Sequence, residues 1–146
     1  MSRLGRIHRK ASNTGMPWKG NQMHSPKEQL PVVMEGPGMS VRAAEDWGGM
    51  AAVVFELPAG TDLGPMLEGL PDDACICSHW GYVLKGKVSV RNVDGTQEVL
   101  EAGQLFHILP GHTPVVQEDA EFVEFTPTAQ FKKVISHVLE KAAAAT

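Results

Sequence analysis

Positions 75 to 79 read Cys-Ile-Cys-Ser-His and place three side chains able to bind a metal ion within five residues. Alternate residues of an extended strand share a face, so Cys75, Cys77 and His79 project to one side, together with Gly81 and Val83. Thiolate and imidazole are good zinc ligands and also suit iron, nickel or copper. On a straight strand residues i and i+4 lie about 13 Å apart. Cys77 with His79 is therefore the easier pair, and a Cys75 ligand requires a bulge or a loop before Cys77. Each side chain also has a plainer role: a free cysteine often only packs, and a neutral histidine is often satisfied by a tyrosine or a carboxylate. Two cysteines are too few for a disulfide scaffold, and the i, i+2 spacing fits reduced thiols and a cytoplasmic setting. His107 and Glu124 are further pocket candidates. They sit in L-F-H-I-L and E-F-V-E-F, where periodicity does not choose a face. Glu124 is open as a last ligand, a partner to a ligand histidine, or an exposed acid. Trp80 and Tyr82 fall on the face opposite His79 and are expected to pack between sheets.

The elements that must hold these residues are short. Strands are predicted over residues 39–44, 50–57, 75–84, 88–91, 96–100, 105–109, 113–117 and 121–126, separated by Gly and Pro turns. Lys85-Gly86-Lys87 is read as a turn, and Asp94-Gly95 as a two-residue type I′ hairpin. Such spacing without intervening helices predicts an all-β, antiparallel sandwich or barrel. One helix follows, over 128–141. Phe131, Val134, Ile135, Val138 and Leu139 form its apolar stripe, which must bury on the barrel or on a partner subunit. Thr126 or Thr128 is its expected cap. Residues 1–30 lack periodicity and are expected to be a flexible basic arm. Residues 31–146, helix included, form a single domain.

Two segments resemble the cupin superfamily. The superfamily's first motif is G-x5-H-x-H-x3/4-E-x6-G and its second is G-x5-P-x-G-x2-H-x3-N. Residues 75–86, CICSHWGYVLKG, resemble the end of the first, and residues 103–114, GQLFHILPGHTP, resemble the second. The phrases HWGYVLKG, PGHTP and EFTP are similar to a bacterial cupin subgroup that keeps a histidine directly before the GYVL strand. The resemblance runs from about Met39 to Thr126 and implies a cupin, or jelly-roll, β-barrel with a C-terminal α-helix. It also implies a pocket drawn from both motifs, in which His112 closes the set begun by Cys77 and His79, with Cys75 next in line. The departures are specific. His79 stands at the usual Glu position, Cys75 and Asp73 at the usual His positions, Pro114 at the second motif's His and Leu109 at its Pro. A metal site here is therefore rebuilt, with zinc as the expected divalent ion.

Bulk properties exclude several classes. The 146 residues are 42% hydrophobic and 21% charged, as in an ordinary globular domain, and no apolar run spans a bilayer. The net charge of −4 conceals six basic and no acidic residues over 1–27, against a net of −10 over 28–146. So acidic a body is not expected to bind nucleic acid or membrane. There is no phosphate loop, serine elbow or zinc-ribbon spacing. A homodimer is expected, because small barrels of this kind leave edges and an apolar face to cover. Three readings compete: a metal-dependent enzyme acting on a small organic molecule, a non-catalytic module that senses a small ligand or a metal, and a dimeric structural protein whose pocket side chains fill.

Overall fold

The computed structural model describes residues 18–145. Its strands are β1 (Val32–Gly36), β2 (Met39–Trp47), β3 (Met50–Leu57), β4 (His79–Asn92), β5 (Gln97–Glu101), β6 (Leu105–Ile108) and β7 (His112–Pro127). A short helix α1 (Gly64–Leu67) follows β3, and α2 (Thr128–Ala144) ends the chain. Every ladder is antiparallel. The strand order is β1-β2-β3-β7-β4-β5, with β6 also on β4. The architecture is the expected jelly roll, but the sheet is not closed: among the described residues no ladder joins β1 to β5. Where β3 stops, the edge of β7 is continued by the next loop, through Val116 N–H to Thr61 O and Leu63 N–H to Pro114 O.

Two long strands replace four short ones. Lys85-Gly86-Lys87 is not a turn; β4 runs through it with register shifts between Val83 and Val88. Gly86 adopts φ +82°, and a Cβ there would overlap the carbonyl of Asp119, so glycine lets the strand bulge without breaking. In the same way 113–117 and 121–126 are one strand, β7. The Asp94-Gly95 loop is longer than the two-residue form. Only Gly95 has positive φ, and Asp94 instead accepts from the Thr96 N–H and hydroxyl. β1 precedes the first strand expected from the sequence.

The core fills the inside of the sheet around Val41, Val53, Val83, Val116 and Cys77. The α2 stripe seats on it: Phe131 and Val138 are buried, and Val134, Ile135 and Leu139 pack against the same cluster. The helix extends three residues beyond its expected end. Its threonine does not cap it, because the Thr128 hydroxyl donates to Glu45 O. Residues 1–17 of the basic arm lie outside the described residues. Residues 18–30 lie on the outer face of β2 and β3. Leu30 is buried with Ala44, Ala52 and Val54, and Trp18 meets Trp47 edge-on at 4.8 Å. Lys27 Nζ bonds Glu56 at 2.6 Å and Glu121 at 2.8 Å, and these carboxylates raise its pKa. Among the described residues no helix is long and apolar enough to cross a membrane.

Candidate metal centre

His79 opens β4 and faces the interior with Gly81 and Val83. Gly81 is required there, since a Cβ would overlap both the Val123 carbonyl and the Phe106 ring. Cys75 lies outside the strand, in a single antiparallel bridge with His112, where Cys75 N–H donates to His112 O at 2.9 Å. Residues 76–78 between them are not extended into a ladder. They are pinned by the Thr126 hydroxyl, which donates to Ser78 O at 2.6 Å. The chain is thus bent between Cys75 and His79, which supplies the irregular segment that a Cys75 ligand requires. Cys75 Sγ lies 3.5 Å from His79 Nε2, and the His79 and His112 rings meet with centroids 4.9 Å apart. One ligand atom each from Cys75, His79 and His112 lies within 4.8 Å of the other two. The order expected of the cysteines is therefore reversed. Cys75 joins the cluster and Cys77 does not, although Cys77 is buried in the core and lines the same cavity.

Each histidine has one nitrogen toward the cluster and one turned away from it, and only that of His112 is hydrogen-bonded. His112 Nδ1–H donates to Leu109 O at 2.7 Å, which leaves Nε2 as its free acceptor. His79 Nδ1 lies 3.2 Å from Glu124 Oε2 but off the line of a hydrogen bond, so it is a buried nitrogen without a hydrogen-bond partner. Glu124 faces inward because Ala120, Phe122, Glu124 and Thr126 alternate into the core along β7. Of the three roles open to it, the geometry places it behind His79.

Burial sets the protonation states. It pushes His79 down to about 3, with His112 adding to the effect, and it lowers His112 as well. Burial, then Cys77, pushes Glu124 up to about 8. The hydrogen bond to Cys77 and burial raise the Cys75 thiol. The close His79–Glu124 contact alone would suggest an ion pair. Removing both groups from water outweighs their attraction here, and at neutral pH the pair is imidazole and carboxylic acid.

The donor set fits a zinc ion. Bond lengths near 2.3 Å to sulfur and 2.05 Å to nitrogen give an S–N edge of about 3.6 Å in a tetrahedral site, close to the 3.5 Å between Cys75 and His79. Three protein donors would leave a bound zinc ion one position for another ligand, and all three side chains line a cavity of about 110 Å³ inside the sheet.

His107 does not belong to this cavity. In β6 the inward residues are Phe106 and Ile108, which line it, while His107 is exposed and stacks on Trp80 at 4.7 Å. Trp80 and Tyr82 are opposite His79 as expected. They do not pack between sheets but stand on the outer surface, 45% and 39% exposed. The apolar stripe of α2 does more than pack: Phe131, Val134, Ile135 and Val138 also wall the cavity, a part that helical periodicity alone does not reveal.

No protein-family model and no curated protein matches the chain. Solved structures do. An RmlC-like cupin from Shewanella frigidimarina is 23% identical with a TM-score of 0.55, over 77% of this chain and 96% of that one. The polyketide cyclase RemF from Streptomyces resistomycificus is 17% identical with a TM-score of 0.52, over 73% and 80%. An S161A mutant of Bacillus subtilis oxalate decarboxylase is 16% identical with a TM-score of 0.52, over 80% of this chain and 31% of that longer one. At these identities the likeness is one of architecture, and it agrees with the two motif-like segments: the chain has the cupin fold.

Proposed function

We propose that this chain binds one divalent metal ion, zinc by the chemistry of its donors, at the base of a small-molecule pocket. The observation that supports it is the convergence of Cys75, His79 and His112 within 4.8 Å at the polar end of the cavity. Cys75 and His112 are held opposite each other by their shared bridge, and His79 by the start of β4. The Leu109 carbonyl orients the His112 ring, and the Glu124 carboxyl stands ready to accept from His79 Nδ1–H once the pair aligns. A bound ion with an open position would polarise a carbonyl or activate water. Reduced thiols at the centre fit a cytoplasmic protein.

Elemental analysis of tag-free protein, stripped with EDTA and reloaded with zinc, tests the reading. One equivalent per chain is expected for the wild type and for Cys77→Ser, with loss in Cys75→Ser and His112→Ala. With cobalt in place of zinc, the sulfur-to-metal absorption should disappear in Cys75→Ser and persist in Cys77→Ser. Wild-type protein that retains no stoichiometric metal would leave these side chains as hydrogen-bonding groups of a metal-free binding pocket, and the non-catalytic reading would replace this one.

A further inference from the structure

We infer that the molecule this cavity admits is small, uncharged and largely apolar, with a single donor atom directed at the Cys75–His79–His112 end. The inference rests on the metal-site reading only for the direction of that donor atom. Its size and charge follow from the walls.

The walls are of two kinds. The ionisable and thiol groups, Cys75, Cys77, His79, His112 and Glu124, gather at one end. Elsewhere the lining is apolar, from Val83 and Phe122 of the sheet, Phe106 of β6, and Val134 and Ile135 of α2. No Lys or Arg is among the lining residues. A carboxylate or phosphate brought inside would lose several kcal/mol of hydration with no cationic side chain to restore it. A carboxylate bound through one oxygen at the polar end would press the other against hydrocarbon or the Glu124 carboxyl. A neutral ligand with one carbonyl or hydroxyl meets neither cost. Size follows from volume. A dry cavity of about 150 Å³ holds benzene, with six non-hydrogen atoms, so the roughly 110 Å³ here sets about six non-hydrogen atoms as the upper limit for an enclosed body.

An isosteric pair tests this on the full chain. 3-Methylbutan-2-one and isobutyrate share one skeleton, with a methyl group in the first where the second has an anionic oxygen. Saturation-transfer NMR titrations would be run on the EDTA-treated and the zinc-loaded protein, with zinc content measured in parallel. The ketone is expected to bind both forms, and isobutyrate at least about tenfold more weakly to the metal-free one, since tenfold is only 1.4 kcal/mol. Val134→Trp should abolish ketone binding while zinc content stays unchanged. Should that variant not fold, Val134→Ala serves in its place and should improve the binding of the larger acetophenone. The inference is overturned if isobutyrate binds the metal-free protein as well as the ketone does, if the ketone does not bind, or if neither Val134 variant alters binding. If the protein takes up no zinc but binds the ketone selectively, the metal reading fails and this inference stands.

Discussion

Replacing Glu124 by Gln should stabilise the metal-free protein, by an amount that depends on pH. The folded chain keeps the Glu124 proton up to about pH 8, whereas an unfolded glutamate releases it near 4.5. Between these values the folded state holds more protons than the unfolded one, so stability falls as pH rises, by about 1.4 kcal/mol per unit. Integrated, the loss is near zero at about pH 4 and about 3 kcal/mol at about pH 7. Gln has the shape of the protonated acid and does not titrate, so the variant escapes the loss. His79 acts in the opposite sense in both proteins. Its folded pKa of about 3 lies below the unfolded value of 6.5, so its contribution is lost as pH falls from 6.5 toward 3. In the wild type these two slopes oppose each other between about pH 4.5 and 6.5, and the lowered His112 adds to the histidine side. In Glu124→Gln only the histidine slope remains, and stability should rise with pH to about 6.5 and then level.

Urea unfolding in EDTA, followed by tryptophan fluorescence at a series of pH values, measures both curves. The decisive quantity is the stability difference between variant and wild type, which should grow by about 3 kcal/mol from about pH 4 to about pH 7. If the pair were ionised instead, imidazolium against carboxylate, both shifts would change sign, and Glu124→Gln would be the less stable protein near pH 6. That outcome, or a difference that does not vary with pH, would refute the neutral pair.

Gly81→Ala should cost more than about 3 kcal/mol in a melt or urea titration, because its Cβ meets the backbone carbonyl of Val123. Gly48→Ala, with open space around it but φ +68°, should cost only about 1 kcal/mol. Lys27→Met should lose under about 1 kcal/mol, given that side chain's 37% exposure. Because the folded pKa of Lys27 is raised, that increment is whole below about pH 10.5 and is lost above it as the lysine deprotonates, which an alkaline stability series would show. The expected homodimer has a surface to use. Trp80, Tyr82, Leu84, Leu105 and Phe125 stand exposed together on the outer face, on the order of 500 Å² per copy and 1,000 Å² per pair, the threshold for a specific contact. Light scattering at micromolar concentration should give twice 15.8 kDa, and Trp80→Glu should halve it; a wild-type monomer would remove the proposal.

What was legible in the sequence was whatever one local rule decides. The α2 stripe and the Gly and Pro turns depend on neighbours in the chain, and the strands came out antiparallel with the helix where its period put it. Glycines in long strands were misleading, since Gly86 is identical in type to a turn glycine and its role depends on Asp119 of another strand. The face of His107 was illegible because both flanking residues are apolar, and only the pairing of β6 with β4 turns Phe106 inward. The cysteine order was reversed by a contact 37 positions away. The Cys75–His112 bridge bends the chain ahead of β4 and voids the straight-strand distance. Residues 18–30 lacked periodicity because they follow the outer sheet surface as an irregular segment, anchored at Trp18, Lys27 and Leu30.

The same burial explains both halves of the site. Histidines and a carboxyl enclosed by hydrocarbon lower their energy by shedding charge, which is why His79 is held neutral and Glu124 is held protonated. A cavity that neutralises its own ionisable groups also rejects ions brought by a ligand, because the penalty acts on any unpaired charge. A divalent cation is the exception, since it supplies the charge that a thiolate can balance, and it favours deprotonation of the Cys75 sulfur that burial resists. The apolar walls and the soft donors are therefore parts of one arrangement. With an ion bound, the donors would give the cavity one place where charge is compensated, and the walls would confine polar contact to that place.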